Sequence, residues 1–270
     1  MKIGVRAHDY DQMPIAQLIK QIKADGFESI QLAIPKVIEE IKGFDDITPE
    51  LVTDIKVICE EEGIDISVFG CYIDPALLDD EKREVEVAKF LKSIEFAKQL
   101  NAGCIGTETT HFDKEESKRE EAFIKLVDSV RCMVAKAEEV GIDIGIEPVA
   151  SHTLNTPELT KRLLEIIDSP RLKVIFDPVN LITVENIKEQ EKLWDDCFKM
   201  FGDKICAMHI KGIRLSEENE LEKAPLSEAQ INYTRLLKEI QKYHPHMHLL
   251  REEAIPSSAK ADQAFMISKM

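Results

Sequence analysis

Four residues of metal-ligand type, Glu147, Asp177, His209 and Glu252, each close a short apolar run, in IGIE, VIFD, CAMHI and HLLRE. They follow one another at intervals of 30, 32 and 43 residues. Such intervals leave room for one helix between consecutive strands, the rhythm of a βα barrel. Strand ends at one rim of such a barrel converge, so three carboxylates and an imidazole would crowd together. Crowding away from water raises carboxylate pKa values unless a cation compensates. One divalent ion supplies that compensation, and oxygen-rich ligation with a single nitrogen suits Mn, Mg, Co or Zn alike. The chemistry open to such a site is proton abstraction next to a carbonyl, passing through an enediolate whose charge the ion offsets. Glu147 and Glu252, on well-separated strands, would flank the substrate, one removing a proton and the other delivering one. Asp177 and His209 would mainly hold the ion. Any one of the four alone would be an ordinary polar strand cap, but four at consecutive strand ends point to a shared site.

The elements that must position them can be read from periodicity. Strand patterns lie near 2–7, 28–34, 64–71, 104–108, 142–147, 172–177, 205–210 and 247–252. Helical patterns lie between them: Ile15, Leu18, Ile19 and Ile22; Leu51, Ile55 and Ile58; Val87, Leu91 and Ile94; Phe123, Val127, Val130 and Val134; Leu159, Leu163 and Ile166. Further helices are expected around 186–201, at Leu236, Leu237 and Ile240, and near 257–268. Thr48-Pro49-Glu50 and Thr156-Pro157-Glu158 supply capping hydroxyls followed by proline at the first helical position. Gly26, Gly63, Gly103 and Gly141 stand where left-handed helix ends are needed. The whole is an α/β chain forming one (β/α)8 TIM barrel over residues 1–270, with no linker or second domain, and 270 residues suffice for one large core.

Alternation along the strands separates helix-facing from interior positions. Ile3 and Val5, Ile30 and Leu32, Ile66 and Val68, Ile144 and Ile146, and Val174 and Phe176 are expected under the helices. The inward set then ends at the C-terminal rim with Arg6 or His8, Gln31, Cys71, Glu108, Glu147, Asp177, His209 and Glu252. In HLLREE either Glu252 or Glu253 could point inward; Glu252 is preferred because it places Leu250 rather than Arg251 inside the barrel. Cys71 is expected to line the cavity as a small apolar residue.

Other polar residues fall near this rim. His152, five residues beyond Glu147, and Lys211, two beyond His209, are candidates to bind substrate hydroxyls or an anionic group, and Lys211 with Arg214 or backbone amides could hold a phosphate. Glu108 and His111 in GTETTH could reach substrate or a second metal, and His8, with Asp9 and Asp11, stands in a similar place at the first rim. His244, His246 and His248 precede or open the eighth strand and should lie at the opposite, stability-giving face.

Bulk properties bound the partners. A net charge of −16, from 51 acidic against 35 basic residues with no long basic run, argues against nucleic acid and anionic membrane partners. Six cysteines without CxxC spacing indicate neither a zinc knuckle nor a secreted disulfide framework. The N-terminus enters a strand pattern at once, and no run approaches the roughly 20 apolar residues of a membrane span, so a cytoplasmic protein is expected.

Over essentially its whole length the chain resembles the sugar phosphate isomerase/epimerase family of xylose isomerase-like TIM barrels, a group that includes tagatose and psicose 3-epimerases, inosose dehydratases and endonuclease IV. The likeness is carried by GIEPV at 145–149, SPRLKVIFDPVNL at 169–181, MHIKG at 208–212 and LLREE at 249–253. It implies a small sugar or sugar phosphate as substrate and a metal held at Glu147, Asp177, His209 and Glu252. Relatives also suggest a homo-oligomer, for which exposed helices are the candidate surfaces. One departure is Gly212, where many relatives carry Asp. Alternatives in the same site are a dehydratase of an inosose or keto-sugar and a sugar-binding barrel without turnover. A nuclease like endonuclease IV would need further metal-binding histidines and a positive track for DNA, and the acidic chain shows neither.

Overall fold

The computed structural model describes residues 1–270. Eight parallel strands form a closed barrel: β1 (Lys2–Arg6), β2 (Ser29–Leu32), β3 (Asp65–Gly70), β4 (Cys104–Glu108), β5 (Ile144–Glu147), β6 (Leu172–Phe176), β7 (Ile205–Ile210) and β8 (His248–Arg251). Each pairs with its sequence neighbours, and β1 pairs with β8 to complete the circle. The outer ring is α1 (Ile15–Ala24), α2 (Pro49–Glu62), α3 (Asp80–Gln99), α4 (Arg119–Val140), α5 (Pro157–Ile167), α6 (Gln190–Phe201), α7 (Tyr233–Tyr243) and α8 (Ala259–Lys269). All eight expected strands and helices are present, within a few residues of the expected bounds. Two smaller pieces carried no sequence signal: a one-turn helix Ile34–Val37 after β2, and an antiparallel ribbon of Ile213–Leu215 with Leu221–Lys223 after β7. No helix is long and apolar enough to cross a membrane.

Local chemistry sets the helix ends. Thr48 and Thr156 accept hydrogen bonds from the backbone N–H of Leu51 and Leu159, both at 3.2 Å, and proline follows each cap. Gly26, Gly63 and Gly141 take positive φ as expected. Gly103 does not; Asn101 takes the left-handed position after α3 with φ 56°. Gly103 is needed for a different reason, since a Cβ there would lie 2.7 Å from the Ser67 carbonyl oxygen.

The strand faces follow the alternation rule except where bulges break it. Ile30 pairs with Ile66, but Gln31 pairs with Val68, so Ser67 is an extra residue in β3. One extra residue reverses every later side chain. Val68 therefore faces the barrel interior rather than the helices, where it joins Cys104, Ile175, Ala207 and Leu250 in a small apolar plug. Cys71 turns outward to Ser93 of α3 instead of lining the cavity, and burial pushes its thiol up to about 12. Tyr72 turns inward in its place. Gly106 and Gly145 make room for the plug, because a Cβ on either would lie 2.5 to 2.6 Å from Ile175.

In β8 the preferred register holds. Leu250 sits in the plug, and Arg251 points outward to a buried ion pair with Asp262 of α8 at 2.9 Å. The next residue, Glu252, turns into the barrel mouth, while Glu253 adopts φ 57° and pairs with Lys223 on the ribbon. Gly212 also gains a reason: a Cβ there would collide with the Ala224 carbonyl, where the ribbon returns past β7. The histidines before β8 lie at the N-terminal face, His244 on the Gly202 carbonyl at 2.7 Å and His248 4.0 Å from Asp65 at the start of β3.

Candidate metal centre

Glu147 is the last residue of β5, Asp177 follows β6, and His209 is the next-to-last residue of β7, before the ribbon. The alternation of three neighbouring strands aims them at one point, and one ligand atom from each lies within 4.8 Å of the others. All three are buried, at 1 to 2 % exposure. His209 Nδ1 faces Glu147 Oε1 at 3.2 Å and Asp177 Oδ2 at 4.0 Å. Its Nε2 faces Gln31 Oε1 at 2.6 Å, and Gln31 in turn donates to the Tyr72 hydroxyl at 2.6 Å. A ring with both nitrogens against acceptors is an imidazolium. Burial works against that charge, but the carboxylates of Glu147, Glu252 and Asp177 outweigh it and lift His209 to about 9.

Asp177 shows how the short loop after β6 completes the site. Its Oδ1 accepts from the backbone N–H of Val179 (2.7 Å) and Asn180 (3.1 Å), a turn that aspartate favours. That turn returns Asn180 to the barrel mouth, where its amide donates to Glu147 Oε1 at 2.6 Å. The other oxygen, Asp177 Oδ2, is buried and receives no hydrogen bond of ordinary geometry, although the Lys211 ammonium lies 2.9 Å away. Burial lifts Asp177 to about 6 against the pull of Lys211, and burial likewise raises Glu147. An under-satisfied buried oxygen beside a second carboxylate and an imidazole fits a divalent cation.

The fourth expected ligand stands apart from this trio. Glu252 Oε1 is paired with Arg6 and Oε2 with Lys211 at 2.9 Å. Burial would raise its pKa, but His209, Lys211 and Arg6 together hold it well below the usual carboxylate range. Arg6 is fixed in turn by Asp9 at 2.6 Å.

The remaining candidates flank these residues. His8 meets Tyr72 edge-on, with ring centres 6.2 Å apart, and burial with Arg6 and Lys36 nearby lowers it to about 3. His152 Nε2 lies 3.7 Å from Glu108, and its ring packs edge-on against His111. Burial raises Glu108 and lowers His152. Tyr72, Glu108, His111 and His152 line a cavity of about 210 Å³ together with Asp74 and Glu86. A larger cavity, about 480 Å³, opens at the N-terminal end among Asp65, Asn101 and His248. Sequence reasoning placed Gln31 at the inward rim without assigning it a partner, and gave no place to Tyr72 or Asn180. The signal for Asn180 was present in DPVN, where an Asp three residues earlier can fold the loop back; Tyr72 was hidden by the Ser67 bulge.

Comparison with known proteins agrees with this architecture. Residues 19–267 match the family model described as xylose isomerase-like TIM barrel. The chain belongs to that family. Among solved structures, a D-tagatose 3-epimerase-like protein superimposes with a TM-score of 0.81 at 16 % identity, over 100 % of this chain and 97 % of that one. The probable 3-DHS dehydratase AsbF from Bacillus anthracis gives 0.74 at 16 % identity, covering 99 % of each chain. The IolI protein with a bound zinc atom gives 0.71 at 15 % identity, over 100 % and 96 %. At such identities the likeness is one of fold. No curated protein sequence matches the chain.

Proposed function

We propose that this xylose isomerase-like barrel is a divalent-metal-dependent isomerase or epimerase, acting on a small sugar or sugar phosphate by proton abstraction next to a carbonyl, through an enediolate. The observation that carries the reading is the buried convergence of Glu147, Asp177 and His209 within 4.8 Å, with the ionised Glu252 across the barrel mouth. Glu147, Asp177 and His209 would hold the ion, with Glu252 as the fourth ligand once a cation partner withdraws from it. When bound, the ion would offset negative charge that develops on the substrate oxygens, and Mn, Mg, Co and Zn all suit the donor set.

The chain's own groups supply the rest. Asn180 fixes Glu147 by donating to Oε1, leaving Oε2 to face the substrate. His209, Lys211 and Arg6 favour the ionised form of Glu252 before the ion binds, and Arg6 stays on Oε1. Two glutamates on separate strands can then serve opposite ends of a proton transfer, one accepting the proton from carbon and the other returning one. Tyr72 and Gln31 orient the His209 ring from behind, as partners of metal-binding histidines do. His152 and Glu108 would meet substrate hydroxyls in the 210 Å³ cavity, and His8, edge-on to Tyr72, would meet them from the first rim. Support for the sugar class comes from a neighbour that is D-tagatose 3-epimerase-like. A second reading, loss of a β-hydroxyl after the same deprotonation, is favoured by the likeness to a 3-DHS dehydratase.

The test is a metal-loaded screen of ketoses, their phosphates and inososes by NMR in deuterated water, which reports product and exchange together. Glu147→Gln and Glu252→Gln should each lower exchange of the substrate C–H by at least about 100-fold. Exchange retained in both would overturn the assignment of these two residues.

A further inference from the structure

Two carboxylates at this site, Asp177 and Glu252, already face a cation that belongs to the chain. An ammonium has three N–H donors. Lys211 donates to Asn180 Oδ1 at 2.5 Å and to Glu252 Oε2 at 2.9 Å, and its Nζ lies 2.9 Å from Asp177 Oδ2. The side chain is only 13 % exposed, so water does little to screen it. Asp177 Oδ1 is taken by two backbone N–H groups, which leaves Oδ2 as the oxygen able to ligate a metal, and that is the oxygen Lys211 faces. Glu252 has no free oxygen, since Arg6 holds Oε1. A divalent ion ligated by Glu147, Asp177 and His209 would meet the ammonium across a shared oxygen, like charge against like charge at low dielectric.

We propose that Lys211 is a resident counter-ion of the metal-free centre, occupying the divalent ion's place at Asp177 Oδ2 and Glu252 Oε2, and that ammonium and ion exclude one another there. The inference rests on the metal reading of the site and adds to it a competitor built into β7. It accounts for two buried carboxylates, Asp177 and Glu252, meeting at one ammonium. It also makes Glu252 a ligand only after Lys211 swings out on its flexible stem, which frees the same ammonium to meet a substrate hydroxyl or anionic group.

The test is calorimetric titration of Mn²⁺ into the wild-type chain, Lys211→Met and Lys211→Gln at one pH and ionic strength, together with melting of each with and without Mn²⁺. Removal of the competitor should tighten Mn²⁺ binding at least about tenfold. It should also lower the melting temperature of the metal-free protein and enlarge the rise on Mn²⁺ addition. A variant that binds Mn²⁺ where the wild type does not supports the proposal as well. Mn²⁺ binding to the wild type with equal or weaker affinity in both variants overturns it alone, and absence of binding in all three overturns it together with the metal reading. A Mn²⁺-soaked wild-type crystal decides the matter should neither variant fold. Lys211 Nζ beyond about 4 Å from Asp177 Oδ2 or Glu252 Oε2 supports exclusion, and Nζ still within about 3 Å of both beside a bound ion overturns it.

Discussion

Metal binding at this centre should be coupled to proton release in a way that the geometry of His209 fixes. Without metal, His209 is an imidazolium with a pKa of about 9, its nitrogens turned to Glu147 and Gln31. A metal accepts only the neutral ring, so each ion bound near neutrality must expel that proton. At pH 7, about two units below the pKa, on the order of 1 ring in 100 is neutral, which weakens binding by about 100-fold, or roughly 3 kcal/mol. Affinity should then rise about tenfold per pH unit from 6.5 to 8.5 and level off near 9. Below about 6 the slope should steepen, because Asp177, lifted by burial to about 6, takes up a second proton. The fold itself should respond in the opposite sense. A histidine whose pKa is raised on folding gives stability that is complete below its unfolded value of roughly 6.5 and is lost as pH rises through about 9. The metal-free chain should therefore lose up to about 3 kcal/mol across that window, while stabilisation by metal grows. Titration of Mn²⁺ in two buffers of different ionisation enthalpy measures both the affinity and the protons released. A dissociation constant that is flat from pH 6.5 to 8.5, with no proton released, would refute the reasoning.

Two further perturbations probe the frame that holds the site. Asp262→Ala leaves the guanidinium of Arg251, one residue before Glu252, buried and unpaired, and should cost about 3–5 kcal/mol in urea unfolding; a loss under 1 kcal/mol would mean that the pair adds little. Thr156→Ala removes the cap of α5 and should cost about 1 kcal/mol with no change in Mn²⁺ affinity, read by melting and titration of the same sample.

The barrel was legible because its signal is repeated: eight apolar runs, capped helices between them, and ligand-type residues at the later strand ends. Glu147, Asp177 and His209 could be placed from strand ends alone, since no bulge lies between each and the rim. Glu252 could be placed because Leu250 is apolar and Arg251 is not. Bulges do not show in a hydrophobic pattern, and the one at Ser67 reversed Val68 and Cys71 and concealed Tyr72. Gly103 was read as a cap because sequence gives only its position after a helix, while its need arises from the Ser67 carbonyl on the neighbouring strand. That Glu252 stands with Arg6 and Lys211 rather than with the other three was equally hidden. Residue types show which groups can meet, and tertiary distances decide which pairs form.

Val68, Cys104, Ile175, Ala207 and Leu250 act as a bulkhead across the middle of the cylinder. It stands between the mouth, where Glu147 and His209 lie, and the opening of about 480 Å³ at the far end. A molecule lodged in that lower opening meets this apolar layer before it can reach Glu147 or His209. The two ends of the cylinder are thereby walled off from one another by packed apolar side chains.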